Sequence, residues 1–245
     1  MLDPPAITAC PVLHRDRFIV LVDKPQGVLS HPNPGPSSKP QRAAFAGRYD
    51  LETKRFHGPS GEVFLIHRLD QDTSGVLLGA LSETMAERCR AAFEAGQVKK
   101  RYLALVHGLP KPEGVWQDHL AVTRERGQVR TVVNAKAAPN AELRYRVLTQ
   151  SEKHRVSLLE IDLITGRTHQ IRVQSASRKH PLLGDDVYGD FDLNKRFRKD
   201  HGLRRLFLHA QQLELKHPAS GQMLCVQAVL PVELGAVLES AGCPV

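Results

Sequence analysis

The 245-residue chain is 41% hydrophobic and 24% charged, an ordinary globular composition with length for one large core or two small ones. Lys and Arg outnumber Asp and Glu by 34 to 26, a formal net charge of +8, which suits a polyanionic partner. Cys10, Cys89, Cys225 and Cys243 form no CxxC pair, arguing against a zinc site or a dense disulfide framework, and the longest apolar run, Val76 to Leu81, falls far short of a membrane span.

Residues 1–12 read as an extension: Pro4, Pro5 and Pro11 break them and no basic stretch precedes an apolar one, so no signal peptide is read and a reducing cytoplasm is expected. One domain is expected over 13–245. Phe18 to Val22, FIVLV, is apolar and β-branched and stops at Lys24-Pro25-Gln26-Gly27, the pattern of a buried strand ending in a turn. His31 to Pro40 holds four prolines and few apolar anchors, which predicts irregular backbone, and the polar stretch through Gly61 makes 31–61 a variable loop or insertion. Val63 to Ile66 and Val76 to Leu81 read as strands joined by HRLDQDTSG, a polar loop between rigid elements and so a place for chemistry.

Ser82 then has the chemistry of an N-cap and Gly96 that of a helix stop, with Met85, Cys89 and Phe93 at spacing four between them. Lys100 to His107 predicts a strand, and Leu159, Ile161 and Leu163 alternate in another that ends at Thr165-Gly166. A helix is predicted from Arg167 through RTHQIRVQSA. Strands over Phe207 to Leu215 and Met223 to Val229 precede a short helix opened by Pro231 and Glu233. Strands and helices mix without regular βαβ alternation, so the expected class is α+β, with a mixed, largely antiparallel sheet and flanking helices. The basic stretch Thr123 to Lys136, with Arg124, Arg126, Arg130 and Lys136, fits an RNA-contacting hairpin or a merely solvated one.

His67 to Gly75 matches HRLDxxTSG at every specified position, and with it the chain resembles the RluA-like family of RNA pseudouridine synthases. The likeness extends to Lys24-Pro25 and Gly27 of a KPxG turn, Lys100 and Tyr102 of a KxY segment, and TGRTHQIR at Thr165 to Arg172. Gly184-Asp185, Tyr188-Gly189 and Leu208-His209-Ala210 follow in order. Two departures stand out: Gln174 and Ser175 follow TGRTHQIRV where the family usually has a histidine and an apolar residue, and 31–61 matches no motif. With no S4-type module ahead of the first strand, the RNA is expected to be held by the catalytic domain itself or with a partner's help.

The resemblance implies that Asp70 attacks a flipped uridine of ribosomal or transfer RNA, with no cofactor and no metal, in a pocket dry enough to make the carboxylate nucleophilic. Arg172 is the expected cation beside it and Arg167 the rival. On a helix those two lie about 140° apart and do not face one carboxylate. Tyr102 is implied to stack on the base, and Arg68 to fill the gap that flipping leaves, while Lys100 and Arg167 neutralise phosphates. His67, His169 and His209 receive no catalytic part. RNA is the expected partner, a monomer the expected state, and no membrane association is expected. Two other readings stay open: Asp70-Gln71-Asp72-Thr73 also fits the DxDxT signature of haloacid-dehalogenase-like phosphotransferases, and a non-catalytic RNA-binding protein could use the same fold.

Overall fold

A computed structural model describes residues 7–33, 41–125 and 128–244. In chain order the elements are β1 (Val12–Arg15), β2 (Ile19–Lys24), β3 (Arg48–Asp50), β4 (Arg55–Gly58), β5 (Gly61–Leu65), β6 (Ser74–Ala80), α1 (Glu83–Glu94), β7 (Lys99–His107) and β8 (Glu113–Asp118). There follow β9 (Leu120–Glu125), β10 (Gln128–Val133), β11 (Ala141–Ser151), β12 (Val156–Leu163), α2 (Gln170–Ser177), α3 (Phe191–His201), β13 (Leu208–Lys216), β14 (Met223–Gln227) and α4 (Val232–Ser240). The class is α+β, and every strand pair with a described register is antiparallel.

The chain divides into two compact units, one of the residues up to Lys99 with Ala210–Val229, the other of Lys100–His209 with the residues from Leu230 onward. In the first, β6 is buried at every position, and β2 runs along all of it, from Ile19 opposite Ala80 to Lys24 opposite Gly75. Strands buried on both faces carry continuous apolar runs, which is why FIVLV and VLLGAL were legible. Helix α1 starts at Ser82, whose hydroxyl accepts from Met85 N, and closes before Gly96, which takes the left-handed conformation at φ 67°. Its Cys89, with Val98 just beyond the helix, packs on Ile19, Leu21, Val76 and Leu78.

The stretch 31–61 is more than loop. It carries β3 and β4, which continue antiparallel into β5, and it roots Phe45 and Phe56 in the interior. Part of the expected irregular segment, residues 34–40, lies outside the described residues.

The second unit is the antiparallel run β7, β12, β11, β8, beside the hairpin β9–β10. Leu103 and Leu105 of β7 with Val156 and Leu158 of β12 pack on Leu193 and Phe197 of α3 and on Leu234, Val237 and Leu238 of α4. Helix α2 contributes Val173 to a smaller cluster with Leu120 and Ala141.

Candidate functional site

Asp70 lies in the loop between β5 and β6, half-buried, with Arg68 exposed and Leu69 buried before it. The loop is tied down by the turn after β2. Lys24 is fully buried, and its Nζ donates to the carbonyl oxygens of Pro25 (3.0 Å), Val28 (2.7 Å) and Gln71 (3.1 Å). A buried ammonium is expensive unless its donors are used, and three carbonyls use them. Gly27 N also donates to Gln71 O at 2.9 Å, and Gln71 Nε2 returns a bond to Gly27 O at 3.2 Å. One residue ahead of Asp70, Leu69 is held at both backbone groups by Ser30, whose Oγ donates to Leu69 O (2.8 Å) and accepts from Leu69 N (2.9 Å).

Behind the loop, His67 Nε2 accepts from Leu78 N at 3.1 Å and its ring stacks on Phe93, so this histidine fastens the loop to β6. Thr73 N closes a turn onto Asp70 O at 3.1 Å. Gly75 follows with φ +114°, and a Cβ there would meet Ala210 O at 2.2 Å, so only glycine fits the step into β6. HRLDQDTSG is thus clamped on both sides of Asp70 by backbone hydrogen bonds from within its own unit.

The other predicted site residues belong to the second unit. Tyr102 is buried on β7 opposite Ile161 of β12. Lys100, on the same strand, is half-buried and donates to Ile164 O at 3.4 Å; burial pulls its ammonium below the ordinary lysine range. Arg167 is exposed, its Nε donating to Asn140 O at 3.0 Å.

The helix predicted from Arg167 begins at Gln170, because His169 stands in the left-handed conformation at φ 53°. The Gln170 side chain explains the late start: its Oε1 accepts from Arg167 N (3.0 Å) and from the Thr165 hydroxyl (2.8 Å), holding the preceding turn off the helix axis. The 140° argument separating Arg167 from Arg172 therefore does not apply, since Arg167 is not in the helix.

Arg172 is 5% exposed on α2 and forms a two-pronged pair with Asp185, Nε to Oδ2 at 2.7 Å and Nη2 to Oδ1 at 2.9 Å. Asp185 Oδ1 also accepts from Val187 N (2.8 Å) and Tyr188 N (2.9 Å). Burial pushes this carboxyl up, but the guanidinium and the two N–H groups outweigh it and hold it below the ordinary 3.8. The Tyr188 ring lies 5.2 Å from the Arg172 guanidinium, and its hydroxyl accepts from Thr131 N at 2.8 Å and bonds His169 Nδ1 at 2.9 Å. At the departure from the family pattern, Gln174 is fully buried and donates to Asp118 Oδ2 at 2.6 Å and to Trp116 O at 3.2 Å, joining α2 to β8.

Sequence reasoning did not assign these supporting roles to Lys24, Ser30 and Asp185. Lys24 and Asp185 already stood in matched motifs, and a charged residue at the end of an apolar strand or in a tight turn was the available signal. Among the described residues no three His, Cys, Asp or Glu side chains are grouped to hold a metal ion, and no helix is long and apolar enough to cross a membrane. The antiparallel sheets also lack the parallel Rossmann-like core that the phosphotransferase reading of Asp70 to Thr73 requires.

A family model described as RNA pseudouridylate synthase matches residues 18–177. The tRNA pseudouridine synthase C of Salmonella typhimurium is 34% identical over 232 residues, 89% of this chain and 85% of the relative. The ribosomal large subunit pseudouridine synthase C of Haemophilus influenzae is 32% identical over 236 residues, 93% of this chain and 67% of the relative. Among solved structures, human RNA pseudouridylate synthase domain containing 4 superimposes with a TM-score of 0.70 at 27% identity, covering 95% of this chain and 93% of that one.

Proposed function

This chain belongs to the RNA pseudouridylate synthase family, and on that premise we propose that it isomerises uridine in ribosomal or transfer RNA with Asp70 as the nucleophile. The observation that carries the reading is the strapped loop. Lys24, Gly27 and Ser30 fix the backbone on either side of Asp70, the preorganisation that a nucleophilic carboxylate needs. The carboxylate attacks the extruded nucleotide, the bond between ribose and N1 breaks, uracil turns, and C5 bonds the ribose as the bond to Asp70 breaks and frees the carboxylate; the hydrogen on C5 leaves as a proton and N1 gains one. Atoms balance, and no oxidant or reductant enters.

Tyr102 supplies a ring face for the base, which holds a uracil without reading its identity. Arg172 supplies the positive charge at the site, held rigid by Asp185. Arg68 occupies the gap left by the extruded nucleotide, and Lys100 and Arg167 neutralise phosphates. The two relatives are named for different RNAs, so either class is a candidate substrate.

The test is pseudouridine mapping of RNA treated with the purified chain in EDTA. Wild type is expected to convert uridine to its mass-silent isomer without added metal. Asp70→Asn is expected to abolish conversion while RNA affinity stays within about threefold, because phosphate contacts supply most of the binding. Near-normal turnover by Asp70→Asn would remove Asp70 from the chemistry, and conversion restored only by magnesium would overturn the metal-free reading.

A further inference from the structure

The hairpin β3–β4 belongs to the one long stretch without a family motif, yet it folds against the loop that carries Asp70. Phe56 is fully buried and packs on Phe45 at 5.7 Å. Tyr49 leans on Phe56 at 4.7 Å, and His31 stacks on Tyr49 at 4.9 Å with only 11° between the planes. The rings therefore form a row that is rooted in the core and ends half-exposed at His31. Arg68 Nη1 lies 3.4 Å from His31 Nε2, and His31 Nδ1 lies 2.9 Å from Pro32 O. Arginine only donates and a carbonyl only accepts, so the ring of His31 is engaged at both nitrogens.

Beside this row Pro32, Asn33, Gly47, Arg48, Tyr49 and Leu51 line an open hollow of about 320 Å³, the lower end of the range for small-molecule sites. Arg48 and Arg68 are both exposed, and among the described residues neither has an ion pair. Leu51 is 55% exposed. A hairpin serving stability alone has no need of half-exposed rings flanked by two unneutralised guanidinium groups. Ring faces for a base with cations for its phosphates are what single-stranded nucleic acid requires.

We infer that His31, Tyr49 and Arg48 form a subsite for an unpaired RNA nucleotide flanking the target uridine, with the base against the ring row and its phosphate facing Arg48. Arg68 ties the subsite to the chemistry, because it lies two residues before Asp70 in the same loop. The inference rests on the reading that the substrate is RNA.

The test uses the full chain and a pool of stem-loop RNAs with randomised loops in which 5-iodouridine replaces uridine. Ultraviolet crosslinking followed by tryptic mapping is expected to place adducts on His31 or on the peptide Tyr49–Lys54. Tyr49→Leu is expected to lose the adduct on that peptide and weaken pool binding about tenfold, the scale of one base stack, while Tyr49→Phe keeps both. Should Tyr49→Leu fail to fold, Arg48→Gln carries the test, with the salt slope of binding expected to fall by about one phosphate contact. Adducts confined to residues outside 31–54, or unchanged binding by a folded Tyr49→Leu together with an unchanged slope for Arg48→Gln, would overturn the subsite. Adducts at Tyr49 without any pseudouridine formed by wild type on the same pool made with unsubstituted uridine would sink the catalytic reading and leave this one standing.

Discussion

The two units hold their principal site residues by opposite means. In the first, the backbone around Asp70 is fixed by a lysine and a serine that bond neutral carbonyl and amide groups. In the second, Arg172 is fixed by another charge, the buried carboxylate of Asp185. A backbone clamp shares its load among several modest bonds, whereas a buried pair concentrates it, since losing either partner strands the other charge away from water.

The largest effect is accordingly expected at Asp185. Asp185→Ala removes both prongs of the buried pair with Arg172 and the acceptor of Val187 N and Tyr188 N and should cost about 3–5 kcal/mol in chemical denaturation, and a loss below about 1 kcal/mol would break the contrast. The same pair has a pH signature. Because the folded-state pKa of Asp185 is depressed, its contribution is present above the ordinary value of 3.8 and is lost as pH falls below it. Asp185→Asn should flatten that part of the acid-denaturation curve.

Gly75→Ala comes next, at about 3 kcal/mol, because it adds a left-handed strain to a collision with the Ala210 carbonyl. Gly27→Ala is the control: its φ is also positive, at +80°, but nothing lies within 4 Å of the added carbon, so conformational strain alone should cost about 1 kcal/mol. Equal losses at the two glycines, measured by thermal melting, would mean that the approach of Ala210 to Gly75 is not what fixes that residue.

Between those two glycines stands Lys24→Met, which keeps the length of the side chain and removes the donor to three carbonyls. About 2 kcal/mol is expected, since Gln71 O keeps the bond from Gly27 and the other two carbonyls must find water. If the clamp positions Asp70, kcat should fall by more than KM rises. A purely structural role for Lys24 would lower the melting temperature and leave kcat of the folded fraction unchanged.

Sequence alone settled whatever depends on neighbours along the chain. The strand over FIVLV, the strand KRYLALVH and the helix from Ser82 to Gly96 were legible because apolar spacing and capping chemistry are local. The literal match at His67 to Gly75 likewise carried the family. Strand β11 alternates Ala141, Leu143 and Tyr145 inward, yet it was missed because its outward face is crowded with Glu142, Arg144 and Arg146. Helix α3 has an Asp190 cap and a Gly202 stop but gives the core only Leu193, Asn194 and Phe197, too thin a stripe to stand out.

Tertiary structure decided the burial of polar residues and the identity of their partners. Lys24 looks like a solvated turn residue until Gln71, 47 positions away, brings it a carbonyl. Arg172 was singled out by its motif, but its burial against Asp185 appears only when a turn returns that carboxylate to it from 13 positions on. Arg167 falls outside the helix because a glutamine side chain three residues later captures its amide. Local propensity reports what a segment prefers by itself, but a buried charge or a displaced helix start is fixed only when distant groups satisfy the hydrogen bonds that water has given up.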